Sequence, residues 1–288
     1  MNTDKDYLDK IDDNLSEQGI RNYLSSKLAD LRIEVFNSVD STNDLCKRNT
    51  HHNTKTSDLI KYIAIAEHQT QGRGSRGRSF FSPSNTGLYM SILIANPPYS
   101  IEEATKFTTM AAVSVCKAIE EISGKKSLIK WVNDIYVSKK KVCGILTEAS
   151  PNLTGDKLEY AVIGIGINVY PPATGFPEDI EEKAGAIFET RITDVRNHLV
   201  ASIINHFVNY YESDSKSNGK KNSYTDEYRR RCFILGKEVL VITESEIKKA
   251  TAINIDNSCR LIVRYDNGNM ETLYSGEIKL HSLSEYLN

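Results

Sequence analysis

Apolar residues along this chain follow two rhythms: short, nearly unbroken runs, and longer stretches in which they recur every three or four positions. Residues 62–66, 87–94, 128–131 and 158–170 are of the first kind, which marks strands buried on both faces. Residues 101–122 are of the second. Phe107, Met110, Ala111, Val115, Ala118, Ile119 and Ile122 trace one helical stripe, and Gly124 supplies the stop. Residues 193–211 repeat that rhythm with Val195, Leu199, Ile203 and Phe207. Shorter helices are predicted over 20–31, through Leu24, Leu28 and Leu31, and over 224–232. A further helix carries Leu45 and is capped by Ser41 or Thr42. Residues 171–177 read as a loop and 213–222 as a polar linker. From Gly236 the pattern changes to closely spaced short strands, with Asp266-Asn267-Gly268-Asn269 as the turn of a hairpin, and roughly fifty such residues predict a small barrel.

Composition narrows the class. With 288 residues, 40% of them hydrophobic and 26% charged, the chain is long enough for one large or two modest domains with a real core. A net charge of −2 argues against a dedicated nucleic-acid binder. The five cysteines (Cys46, Cys116, Cys143, Cys232, Cys259) are odd in number and form no CxxC pair, so reduced core thiols are expected rather than disulfides or a zinc site. The first twenty residues are polar and acidic, and no apolar run reaches the roughly 18 residues that span a bilayer. A cytoplasmic protein without membrane contact is the expectation.

Residues 66–83, AEHQTQGRGSRGRSFFSP, are the most informative stretch. Arg73, Arg76 and Arg78 interleave with Gly72, Gly74 and Gly77 directly after an apolar strand pattern. Glycine lets backbone approach a ligand closely, and guanidinium groups form charge-assisted bonds to phosphate oxygens, so the loop is suited to holding phosphate. The glycines spell GxGxxG and come within one residue of a Walker pattern, but both motifs depend on a helix that starts at the loop. Phe80-Phe81-Ser82-Pro83 reads as extended chain, which excludes that context. A solvated basic loop is the bland alternative.

Residues 130–146, KWVNDIYVSKKKVCGIL, place Lys130, Asp134 and Lys141 on two short strands joined by a tight turn at Ser138-Lys139-Lys140. The single Trp and an Asn-Asp pair lie beside them, so a site and a solvated hairpin weigh about equally on the residues alone. Gly164 and Gly166 within a strand signal the close approach of a ligand or another chain segment.

Taken together these stretches resemble biotin–protein ligases. VDSTN at 39–43, QTQGRGSRGRSFFSP at 69–83, KWVNDIYV with KVCGIL at 130–146, and GIGINV at 164–169 occur in that family's order. The similarity extends over about residues 32–285. It implies an α+β fold: a mixed sheet with helices packed on one face, of the class II aminoacyl-tRNA synthetase-like kind, plus a C-terminal SH3-like barrel. The expected division is a helical leader at 1–35, a catalytic domain at 36–235 and the barrel at 236–288. The implied activity joins biotin to ATP as biotinyl-5′-AMP and passes biotin to a lysine of a biotin carboxyl carrier domain of a carboxylase. ATP, biotin and Mg²⁺ are the implied ligands, with no metal-ligating residue assigned, and the enzyme is expected as a monomer or homodimer.

By match to the family, Lys141, Asp134 and Arg73 are the catalytic candidates. Lys141 would pair with the biotin carboxylate and α-phosphate, and Asp134 would serve the incoming lysine. Ser41, Thr42, Asn43, Gln69, Gly72, Arg73 and Gly144 fall to the biotin side. Arg73, Ser75, Arg76, Arg78, Lys130 and Asn168 fall to the nucleotide, with Asn168 at the Mg²⁺ end. Three departures stand out: Ser75 where many members carry arginine, Val132 in place of the usual proline, and an N-terminus without the DNA-binding domain of the repressor members. A lipoate ligase, or a biotin sensor without chemistry, remains an alternative.

Overall fold

The computed structural model describes residues 12–50, 60–217, 223–243, 246–274 and 277–280. Its centre is a seven-stranded mixed sheet in the order β1-β2-β3-β7-β6-β5-β4. The strands are β1 (Ile33–Phe36), β2 (Ile60–Ala66), β3 (Gly87–Ala95), β4 (Ser127–Lys130), β5 (Asp134–Val137), β6 (Lys140–Pro151) and β7 (Leu158–Asn168). Only β1 and β2 run parallel; every other neighbour pair is antiparallel. The continuous apolar runs of β2 and β3 follow from position, because these strands are buried over nearly their whole length in mid-sheet, while β7 is buried at its apolar positions and partly open at Gly164 and Gly166.

After β1 comes a short helix α2 (Thr42–Arg48), preceded in the chain by α1 (Glu17–Arg21). The long helices α3 (Thr105–Ser123) and α4 (Val195–Ser217) pack side by side over one face of the sheet, joined by α5 (Ser223–Arg231). Their apolar stripes share one large core with Ile63, Ile65, Met90 and Ile92. The opposite face is covered by α2, whose Cys46 packs on Tyr62, Ala64, Leu93 and Val162. Gly124 ends α3 in the left-handed region at φ 67°, as the stop signal predicts.

Two local expectations fail. Residues 20–31 do not form one helix: α1 stops at Arg21 and a 3₁₀ turn follows at Ser26–Leu28. Asn22 and Ser25-Ser26 lie between them, residues that favour turns over helix interiors. Leu28 is nevertheless buried, and Leu24 and Leu31 pack against the core. Residues 213–217, expected in a linker, continue α4. The buried Asp214 explains this, because its carboxylate accepts a 2.7 Å hydrogen bond from Tyr99 and faces the ammonium of Lys106 at 3.6 Å. Residues 218–222 lie outside the described residues.

The C-terminal segment holds β8 (Glu238–Ile242), β9 (Ile247–Ile255), β10 (Leu261–Tyr265), β11 (Met270–Leu273) and β12 (Glu277–Leu280) in an antiparallel sheet of order β11-β10-β9-β8-β12. Among the described residues no pairing closes β11 onto β12 into a barrel. Trp131 joins this sheet to the first, its indole N–H donating to the Cys259 carbonyl at 3.2 Å. Among the described residues no helix is long and apolar enough to cross a membrane.

Candidate active site

The glycine-arginine loop leaves β2 and returns to β3 without entering an α-helix. A single 3₁₀ turn spans Ser75–Gly77, with Arg76 and Gly77 at φ 58° and 71°, and Arg78 is already extended. The loop is closed on itself by Phe80 N–H to Gly72 O at 2.9 Å and Gly74 N–H to Arg78 O at 2.7 Å. Gly72 serves that closure. A Cβ there would stand 2.4 Å from the Phe80 carbonyl oxygen, so no side chain fits.

Beneath the loop lies a cleft of about 590 Å³. One end is polar and mostly buried. Ser41 caps α2, its hydroxyl accepting from Asp44 N–H at 3.4 Å, and its side chain also lines the cleft, so capping and lining coexist. Gln69 Oε1 accepts from Thr42 N–H at 2.9 Å and from the Thr42 hydroxyl at 3.1 Å. Ser91 Oγ lies 2.7 Å from Thr42 Oγ1 and 2.6 Å from Asn43 Oδ1, and Asn43 donates to Glu148 at 2.8 Å. The glycines of β7 answer to this crowding. A Cβ on Gly164 would lie 2.2 Å from Asn43 Oδ1, and one on Gly166 2.6 Å from the Phe80 ring.

Basic groups line the other end. Lys141 Nζ lies 2.6 Å from Asp134 Oδ1, across the β5–β6 hairpin. That hairpin turns through Ser138 and Lys139, both at positive φ, and Lys140 already belongs to β6. Arg78 donates to the Ser75 carbonyl and hydroxyl oxygens, each at 3.3 Å. Lys130, Asn168 and Gly144 complete this part of the wall. Arg73 is held sideways, 2.8 Å from Asp44 and 3.2 Å from Glu148, and Lys47 bridges the same two carboxylates. Burial opposes ionisation of Asp44, but Lys47 and Arg73 outweigh it and hold the carboxyl below its ordinary range. Burial first, and then the charge of Asp134, push the phenol of Tyr136 up.

Of the residues singled out from sequence, the structure brings Ser41, Thr42, Asn43, Gln69, Arg73 and Ser75 to this cleft, together with Arg78, Lys130, Asp134, Lys141, Gly144 and Asn168. Gly72 and Arg76 do not line it; Arg76 lines a second opening that also reaches Asp134. Sequence reasoning missed Phe80, whose ring covers Gly144 and Gly166, and the segment 176–184, where Phe176, Ile180 and Lys183 form a further wall. That segment is zipped to β6 by Lys141 N–H to Lys183 O at 2.7 Å and Gly185 N–H to Lys141 O at 2.9 Å. Isolated apolar residues in a polar loop were the available signal.

The chain is similar to known proteins in sequence and in fold. Residues 35–168 match the profile of the biotin/lipoate A/B protein ligase family, and residues 234–280 that of the biotin protein ligase C-terminal domain. The chain is 31% identical over 198 residues to the bifunctional ligase/repressor BirA of Bacillus subtilis, covering 69% of this chain and 58% of that protein. The chain thus matches less than two thirds of that relative's length. It is 24% identical over 199 residues to the biotin–[acetyl-CoA-carboxylase] ligase of Mycobacterium tuberculosis, covering 67% and 69%. Among solved structures, the biotin protein ligase of Aquifex aeolicus in complex with biotin and ATP superposes with a TM-score of 0.67 at 25% identity, covering 86% of this chain and 97% of that one.

Proposed function

We propose that the chain is a member of the biotin/lipoate A/B protein ligase family, that it activates biotin with ATP as biotinyl-5′-AMP and that it transfers the biotinyl group to a lysine of a biotin carboxyl carrier domain. The observation that carries this reading is the 2.6 Å Lys141–Asp134 pair at the floor of a cleft with one polar, enclosed end and one basic end. Biotin has matching ends, a ureido head rich in donors and acceptors and a carboxylate tail. Its head would meet Ser41, Thr42, Asn43 and Gln69, and its tail would pass Gly144 beneath Phe80. A lipoate ligase is disfavoured by the same polar end, because a dithiolane ring carries no amide donors or acceptors to replace the water it would displace there.

In the first half-reaction a biotin carboxylate oxygen attacks the α-phosphorus and pyrophosphate leaves. Two anions must meet, and fixed cations lower that barrier without reorganising in the transition state. Lys141 would bridge the carboxylate and α-phosphate, with Arg78 and Lys130 toward the departing phosphates. Mg²⁺ would travel on the phosphate oxygens near Asn168; among the described residues no group of three His, Cys, Asp or Glu forms a metal cage. In the second half-reaction Asp134 would accept a proton from the incoming lysine, which is nucleophilic only when neutral. Incubating the protein with biotin and ATP should release pyrophosphate, adding a carrier domain should yield biotinylated carrier, and lipoate should not substitute. Pyrophosphate release with lipoate but not with biotin would refute the reading.

A further inference from the structure

Asp134 and Lys141 line two adjoining clefts. The cleft described above reaches them from the side of β6 and β7 that carries Gly144 and Gly166. A second cleft of about 390 Å³, within the ~300–1,000 Å³ range of ligand sites, reaches them past a different set of residues. Its walls are the first turn of α3 at Thr105 and Thr108, Thr147 on β6, the 3₁₀ turn of the glycine-arginine loop, and Tyr274 and Ile278 of the C-terminal sheet. The two clefts share Ser75, Arg78, Lys130, Asn133, Asp134 and Lys141, with Ile145 and Leu146 between them, whereas Ser41, Thr42 and Gln69 line the first alone and Thr105, Thr108 and Tyr274 the second alone. We propose that the second cleft is the entry for the acceptor, a lysine presented by the carrier protein, and that Thr105 and Tyr274 form its rim.

This rests on the ligase reading and follows from its stoichiometry. Once the adenylate fills the first cleft, its AMP half blocks that side of the acyl carbonyl, and a nucleophile must arrive by another route. The second cleft ends on Asp134, the group assigned to the amine. There the lysine nitrogen forms a bond to the biotinyl carbonyl carbon, the bond from that carbon to the phosphate oxygen breaks, and AMP leaves with the electron pair. The surplus amine proton passes to Asp134 and on to solvent.

The rim is built rather than incidental. Tyr274 is 51% exposed yet held in place: Arg260 lies 4.9 Å over its ring and donates to its hydroxyl at 3.0 Å. Its carbonyl accepts from the Thr105 hydroxyl at 3.4 Å, which ties the C-terminal sheet to α3 across the opening. A rigid aromatic rim of this kind suits protein contact.

The test uses the full chain, a recombinant biotin carboxyl carrier domain as acceptor, and the variants Thr105→Arg and Tyr274→Ala. Each should raise KM for the carrier by at least about tenfold, a change of roughly 1.4 kcal/mol. Pyrophosphate release in the first turnover should stay within about twofold of wild type, as should discharge of preformed adenylate by hydroxylamine, which is small enough to need no rim. Unchanged carrier KM in both variants would overturn the proposal. So would parallel loss of pyrophosphate release in a folded variant, which would place these residues at the nucleotide. Absence of adenylate from the wild-type protein would instead remove the ligase reading on which the proposal stands.

Discussion

Lys141 Nζ and Asp134 Oδ1 stand 2.6 Å apart on neighbouring strands, although the two residues are not directly opposed in the register: Asp134 faces Gly144, and Lys141 faces Tyr136. A bulge between Ile135 and Tyr136 brings the side chains together. On the proposed function, the pair divides the two half-reactions between its members. Lys141→Gln should depress adenylate formation by about 10²-fold or more, the scale of losing one group that stabilises transition-state charge. Asp134→Asn should slow transfer to the carrier while leaving pyrophosphate release much less affected. Equal loss of both half-reactions in Asp134→Asn would remove its assigned role.

Ser75 lines both clefts, and its hydroxyl accepts from Arg78. A guanidinium at that position could make a charge-assisted bond to the adenylate phosphate, worth about 0.5–2 kcal/mol more than a neutral hydroxyl contact. Ser75→Arg should therefore slow adenylate dissociation by roughly two- to thirtyfold and reduce stray biotinylation of bystander proteins. Stopped-flow off-rates decide it; an unchanged off-rate with intact adenylation would place this side chain away from the phosphate.

Gly166 has no room for a methyl group beneath the Phe80 ring. Gly166→Ala should force that ring aside at a cost of about 1–3 kcal/mol, the usual range for overpacking. If the biotin tail runs there, KM for biotin rises at least about fivefold. Steady-state kinetics at saturating ATP give the answer, and an unchanged KM would move the tail elsewhere.

Arg196 is 1% exposed and binds the carboxylates of Asp13 at 2.9 Å and Glu67 at 2.6 Å, together with the Asp13 backbone carbonyl. Tyr170 donates to the same Asp13 carboxylate at 2.7 Å. Asp13→Ala leaves the guanidinium buried with one of its two carboxylate partners, and should cost toward the lower end of the roughly 3–5 kcal/mol expected for breaking a buried pair. Urea denaturation would measure this; a loss below about 1 kcal/mol would show that water or Glu67 compensates.

All five cysteines are buried and unpaired. Burial pushes the thiols of Cys46 and Cys232 up to about 12 and that of Cys116 up to about 11. Since the thiolate is the reactive form, native protein at pH 8 should not react with a disulfide reagent until it unfolds, when five equivalents should titrate. Rapid reaction of any thiol in the folded state would contradict this burial.

Sequence alone determined the elements whose signals are local. The continuous apolar runs of β2, β3 and β7, the three- and four-residue stripes of α3 and α4, the stop at Gly124 and the turn at Ser138-Lys139-Lys140 follow from side-chain period and backbone preference, and each appears there, except that Lys140 already opens β6. The absence of an α-helix after Gly77 was equally legible, because Phe80 to Pro83 offers no helix start. Tertiary structure decided whatever depends on groups far apart in the chain. Asp214 stays helical because it meets Tyr99 and Lys106 from another segment, which a polar sequence window cannot reveal. Gly164 and Gly166 carried a correct hint of close approach, but only folding showed that Asn43 and Phe80 are what approach them. Arg73, read as a ligand for phosphate, is turned toward Asp44 and Glu148. The second opening onto Asp134 is walled jointly by the glycine-arginine loop, α3 and residues Tyr274 and Ile278 of the C-terminal segment, which only folding brings together. Period and propensity act over a few residues, whereas clefts and charge networks form between segments up to a hundred or more residues apart.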